Sequence, residues 1–117
     1  MSNTNKPEIY LALYELTKYL YCVHRNMPKQ FKYTLGQGIL DLSWGCLDIV
    51  LVANRLPNKE KFQKILYASG VFDQLKARLR MAHELKLLSH NQYAYIIEQN
   101  EEIGKMLTGW LNWAKRQ

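Results

Sequence analysis

The sequence predicts an all-α protein, an antiparallel up-down-up-down four-helix bundle. Apolar residues recur at spacings of three and four along four segments, three short breaks divide those segments, and no stretch alternates apolar and polar residues as a half-buried strand would. Leu, Lys, Gln, Glu and Ala are abundant, and all favour helix.

The first helix is expected over Glu8–Arg25, with a core stripe of Ile9, Leu13, Leu16, Leu20 and Val23. It starts behind Pro7, whose fixed φ suits a first turn, and stops before Asn26-Met27-Pro28, because the residue before a proline is pushed out of the α region. The second is expected from Lys29 or Phe31 to Arg55, with Leu35, Ile39, Leu42, Cys46, Ile49 and Ala53 inward, and Pro57 beyond it as a stop. The third is expected over 59–87, with Phe62, Ile65, Ala68, Phe72, Leu75, Leu79 and Ala82 inward and Gly70 marking a kink or a close contact. Ser89 and Gln92 form a capping box that opens the fourth, whose stripe is Tyr93, Ile96, Asn100, Ile103, Leu107, Trp110 and Ala114.

The chain has 117 residues, 48% of them hydrophobic, enough for one domain to bury a core without disulfides or metals. That domain is expected over 8–117, after a flexible N-terminus at 1–7. Cys22 and Cys46 form no CxxC pair and read as two inert core thiols in a reducing compartment. The polar N-terminus has no signal-peptide h-region. The longest apolar stretch, 39–53, is interrupted by Asp41, Ser43 and Asp48 and is shorter than the ~20 residues of a membrane span. A soluble, cytoplasmic protein with no membrane partner is expected.

The second helix carries a further apolar stripe, Leu40, Trp44, Leu47 and Leu51, and is therefore apolar nearly all round. The first helix adds Tyr10, Tyr14 and Tyr21. We read Leu40, Trp44, Leu47, Leu51, Tyr14 and Tyr21 as a subunit interface, against the plainer reading of a wide core face. Asp41 and Asp48 lie on one side of that helix, as partners for arginines across the interface or as solvated carboxylates.

Most catalytic constellations are excluded. No Glu precedes a His by three residues, as a di-iron bundle requires, and Cys22 with His24 is too small a set for zinc. The GxG at Gly36–Gly38 lacks a third glycine and a strand, so it is no dinucleotide loop. These glycines, with Gly104 and Gly109, read instead as points of close helix approach. Arg78 and His83 match the R-x4-H spacing of small helical ribonucleases, where Arg would hold a phosphate and His move a proton; a solvated basic face is the competing reading. No cofactor, metal or catalytic residue is expected.

The net charge of +6 favours anionic partners, nucleic acid in the common case. Basic residues gather in three places: Arg25, Lys29 and Lys32; Lys59, Lys61, Lys64, Lys76, Arg78 and Arg80; and Lys115 and Arg116. Lys59 and Lys61 oppose the helix dipole where they stand, and Lys76 and Arg80 form a like-charged i,i+4 pair without an evident acidic neighbour, a repulsion that phosphate would relieve. With no base-reading motif in the chain, binding is expected through backbone charge and shape.

Three segments in order, MPKQFKYTLGQGI at 27–39, LKLLSHNQY at 85–93 and IGKMLTGW at 103–110, resemble the accessory variability determinant (Avd) proteins of diversity-generating retroelements, within a wider group that includes the ribosomal RNA intervening-sequence proteins. The resemblance spans residues 8 to 116. It implies a homopentamer of four-helix protomers, non-catalytic and basic, that binds RNA or a DNA–RNA hybrid and associates with a reverse transcriptase for mutagenic cDNA synthesis. Lys76 and Arg80 are the partner-contact residues it points to. Two alternatives stand beside it: a ribonuclease using Arg78 and His83, and an oligomeric structural bundle of the intervening-sequence type.

Overall fold

A computed structural model describes residues 8–117; the segment expected to be flexible, 1–7, lies outside the described residues. The described chain is helical throughout apart from short joints. Helix α1 spans Glu8–Arg25. Helix α2 spans Lys29–Arg55, entering as a single α turn at Lys29–Phe31, widening to a π turn at Lys32–Gly36 and continuing as α-helix over Gln37–Arg55. Helix α3 spans Lys61–Glu84 and α4 spans His90–Lys115.

The joints 26–28, 56–60 and 85–89 hold three to five residues. At ~3.5 Å per residue they cannot run back along a molecule measuring 45 × 22 × 20 Å. Consecutive helices are therefore antiparallel, and α1 and α3 each pack against both α2 and α4. The result is the all-α four-helix bundle the periodicity predicts. Its core is built by Leu13, Leu16 and Leu20 of α1, Cys46, Leu47 and Val50 of α2, Ile65, Phe72, Leu75 and Leu79 of α3, and Ile96 and Ile103 of α4. Each such aliphatic or aromatic side chain contributes ~1.5–3 kcal/mol by leaving water.

Three features of α2 differ from the sequence expectation. Leu40 and Leu47, assigned to a subunit interface, are 3% and 2% exposed and belong to the protomer's own core. The buried seam of α2 runs through Ile39, Leu40, Ser43, Cys46, Leu47, Val50 and Ala53, between the two stripes seen in sequence, because α2 is covered by α1 on one side and α3 on the other. Gly36, at the end of the π turn, is a point of close approach as expected: a Cβ there would lie 2.8 Å from Met27 Sδ, 3.0 Å from His24 Cδ2 and 3.3 Å from Phe31 O, so a larger residue would have to push the Met27 side chain aside. The close-approach reading fails at Gly38, Gly104 and Gly109, where a Cβ would meet nothing within 4 Å, and Gly70 lies in unbroken helix with the same open space. Finally, because α2 is continuous through the π turn, it has 27 residues and an 18-residue window of mean hydropathy 1.4, long and apolar enough to cross a membrane by length and composition.

The helix ends follow local chemistry. Ser89 Oγ accepts from Gln92 N at 3.0 Å while Gln92 Oε1 accepts from Ser89 N at 2.9 Å, the expected capping box. Helix α3 ends three residues before the expected 87. Leu87 N donates to Ala82 O and Lys86 N to His83 O, a Schellman closure with Lys86 in the left-handed region at φ 64°. Between α1 and α2, buried Thr17 and Ser43 share a 2.6 Å hydrogen bond, and Thr17 also donates to Leu13 O.

Candidate nucleic-acid interface

The antiparallel topology sorts the basic residues into two ends rather than three patches. Arg25, Lys29, Lys32 and Arg80 lie toward the end where α1 and α3 finish. Lys59, Lys64, Lys115 and Arg116 lie toward the other. Lys29, Lys64, Lys115 and Arg116 are exposed, whereas Lys32 is half-buried and donates through Nζ to Arg25 O at 3.4 Å, supporting the last carbonyls of α1. His24 Nε2 lies 3.0 Å from Lys32 O. A carbonyl only accepts, so the ring proton sits on Nε2.

Lys61 leaves the set of candidate phosphate ligands. It is 7% exposed, and its Nζ donates to Ala53 O at 2.9 Å and Asn54 O at 2.8 Å. It caps the C-terminus of α2, where carbonyls have no intrahelical partner and the dipole is negative, so its place at the head of α3 serves the preceding helix. Burial pulls its pKa below the ordinary 10.5.

On α3, Lys76 and Arg80 stand one turn apart on the side that faces α4. The sequence reading gave them no acidic neighbours, and the structure corrects this. Lys76 Nζ is 3.3 Å from Asp73 Oδ1 and Arg80 Nε is 3.0 Å from Glu84 Oε2. Both pairs are exposed, and exposed pairs are worth ~0–1 kcal/mol, so phosphate can displace the carboxylates. Lys76 also lies 5.2 Å from the centre of the Phe72 ring. Arg78 and His83 do not converge: positions five apart are about 140° apart around a helix. Arg78 Nη1 donates to Gln74 O at 3.4 Å, while the His83 ring stacks on Tyr93 of α4 at 4.0 Å and 10°.

Between α3 and α4 runs a groove of about 390 Å³, lined by Lys76 and Arg80 from one helix and Tyr93, Ile97, Asn100, Glu101 and Gly104 from the other. Asn100 is 6% exposed and its Oδ1 has no hydrogen-bond partner among the described residues. In the sequence Asn100 is one more member of the α4 core stripe, and a polar residue in that apolar register is the signal that marks it.

The opposite side of the molecule carries an aromatic and aliphatic patch among charged residues. Tyr14, Tyr21, Trp44 and Leu51 are exposed on α1 and α2, and Trp44 Nε1 donates to Tyr21 Oη at 2.9 Å. With Thr17 and Lys18, three of these aromatics enclose a cavity of about 160 Å³. Asp41 of this region accepts from Gln37 Nε2 at 2.9 Å. Cys22 is exposed, not a core thiol, whereas Cys46 is buried.

No curated protein matches the chain. A family model described as bAvd-like matches residues 9–114, from the first turn of α1 to the last of α4. Coverage of the whole bundle by that model makes this chain an Avd-like protein, a member of the bAvd-like family.

Proposed function

We propose that this Avd-type chain is a non-catalytic accessory subunit of a diversity-generating retroelement, which binds RNA or a DNA–RNA hybrid through the α3 side of the bundle and associates there with the reverse transcriptase during mutagenic cDNA synthesis. The observation that carries this reading is the pairing of Lys76 and Arg80, adjacent, exposed and held by displaceable ion pairs beside a groove, in a chain of net charge +6. Protomers assemble through the Tyr14, Tyr21, Trp44 and Leu51 face, as a homopentamer by the family resemblance, and assembly multiplies the cations presented to one polyanion. The protein acts in the cytoplasm with its partner enzyme.

The test is charge reversal. Lys76→Glu with Arg80→Glu should weaken RNA binding at least tenfold and flatten the plot of log affinity against log salt by about two contacts, since each phosphate contact contributes roughly unit slope. Co-purification of the reverse transcriptase should fall in parallel, with an unchanged helical melt. Wild-type affinity and salt slope in the variant would refute the assignment. The ribonuclease alternative draws no support from Arg78 and His83, whose side chains leave α3 in different directions.

A further inference from the structure

We infer that the groove between α3 and α4 is a seat for one unpaired nucleotide of a single strand, with its phosphate on Lys76 and Arg80 and its base against Tyr93 and Asn100. The inference rests on the nucleic-acid reading above and adds a base-dependent contact to it.

Phosphate belongs at the α3 rim, where the two cations stand one turn apart. The base belongs on the α4 side for three reasons. The Tyr93 ring lines the groove and already stacks on His83 at 4.0 Å and 10°, so a base on its other face continues an existing stack. Ile97, an exposed aliphatic side chain, gives that end an apolar wall. Asn100 supplies the polar recognition. It is buried, it forms part of the groove, and its Oδ1 has no partner among the described residues. Leaving a buried acceptor unmatched costs stability, and since the oxygen has no exposed surface as it stands, a ligand satisfies it once the amide turns about χ2 toward the groove. A primary amide offers one acceptor and one donor side by side, the complement of a base edge, and a half-turn about χ2 exchanges them.

The same geometry selects among ligands. Glu101 lies on the α4 side, where its carboxylate can accept from a base N–H and would repel a phosphate, which orients the nucleotide. A duplex keeps its base edges paired and stacked, so it could use only the cations. An acidic peptide could satisfy Lys76 and Arg80 but would leave the Tyr93 face and the Asn100 acceptor unmet. Gly104 keeps the floor open, since a Cβ there would meet nothing within 4 Å.

Binding of three probes of equal length separates the possibilities: a single-stranded RNA, a fully abasic ribose-phosphate chain, and an RNA duplex, with single-stranded DNA as a fourth arm to ask about the sugar. The single strand should bind roughly tenfold more tightly than the abasic chain at one salt concentration, the scale of one base stacked on an aromatic ring. Asn100→Leu, which removes the unmatched amide, and Gly104→Leu, which fills open space, should each erase that preference while abasic-chain affinity and salt slope stay at wild-type values. Either variant alone suffices if the other misfolds. Equal binding of single-stranded and abasic chains by the wild-type protein, or a preference surviving both substitutions, would overturn the nucleotide seat and leave the electrostatic reading intact. Absence of all binding would overturn both. Competition by oligoglutamate as strong as by single-stranded RNA would assign the groove to an acidic protein segment instead.

Discussion

Cys46 shows what burial does to a single ionisable group in this bundle. Its side chain is 0% exposed and its Sγ donates to Ala68 O at 3.5 Å, so the thiol has a weak acceptor for its proton and no water for its thiolate. Desolvation pushes its pKa from 9.0 up to about 12. The folded chain then keeps a proton that the unfolded chain has lost. The resulting stabilisation is complete below pH 9 and disappears as pH rises toward about 12, with an upper bound of about 4 kcal/mol. Urea denaturation between pH 8 and 11 should show wild-type stability falling faster than that of Cys46→Ala; parallel profiles would contradict the assignment. The comparison with the variant matters because Tyr19, raised by burial and by Tyr95, adds a loss of the same sign, while Lys61, lowered by burial, adds a gain. The burial of Cys46 was legible in the apolar stripe of α2, whereas the exposure of Cys22 was not. Cys22 has apolar neighbours but stands off the Ile9, Leu13, Leu16, Leu20 and Val23 stripe of α1, and the rotation of that helix turns its thiol to solvent. Asn100 stands out in sequence as a polar residue in an apolar register, but its unmatched oxygen belongs to the packed structure.

The joints decide where each helix begins and ends, and Lys61 shows how far their chemistry can be from its appearance in sequence. A lysine in the first turn of a helix opposes that helix's own dipole, which is why it read as a phosphate ligand. In space it reaches back across the 56–60 joint to the last carbonyls of α2, at 2.8 and 2.9 Å. Lys61→Met keeps the aliphatic stem and removes both donations, and should lower the unfolding free energy by about 2 kcal/mol, the scale of hydrogen bonds from a charged group. RNA affinity per folded molecule should keep its salt slope; a slope reduced by about one would return Lys61 to the phosphate contacts. Other ends were legible because their signals are local. Pro28 ends α1 where expected, and Ser89 with Gln92 starts α4. The end of α3 was not, because its Schellman turn places Lys86 at φ 64°, a position where glycine is the usual signal. The π turn that ends at Gly36 packs close to Met27 and His24, an arrangement that residue spacing alone does not reveal.

At the scale of the whole molecule, the bundle has two unlike sides, an aromatic face on α1 and α2 and a basic groove between α3 and α4. The surplus of apolar residues on α2 is met first inside the protomer, where α2, like every helix of the bundle, has two neighbours. Much of that surplus is consumed within the protomer by Leu40 and Leu47. What remains outside is Trp44 and Leu51, 40% and 37% exposed, beside Tyr14 and Tyr21 of α1. Aromatics grouped with one internal hydrogen bond and a shallow cavity have the composition of an interface core rather than of scattered surface residues. If this face joins copies, wild-type protein should sediment well above its protomer mass of 13.8 kDa, and Trp44→Glu with Leu51→Glu should sediment at 13.8 kDa. Both positions are exposed, so the double variant should retain its helical melt. The groove between α3 and α4 lies on the opposite side and stays intact, so the dissociated protomer should still prefer single-stranded to abasic RNA while losing the avidity of pooled sites. Wild-type protein sedimenting at the protomer mass would remove the assembly and leave the groove untouched. A variant that loses assembly and base preference together would mean that the two sides are not independent, and that the nucleotide seat is completed by a neighbouring copy.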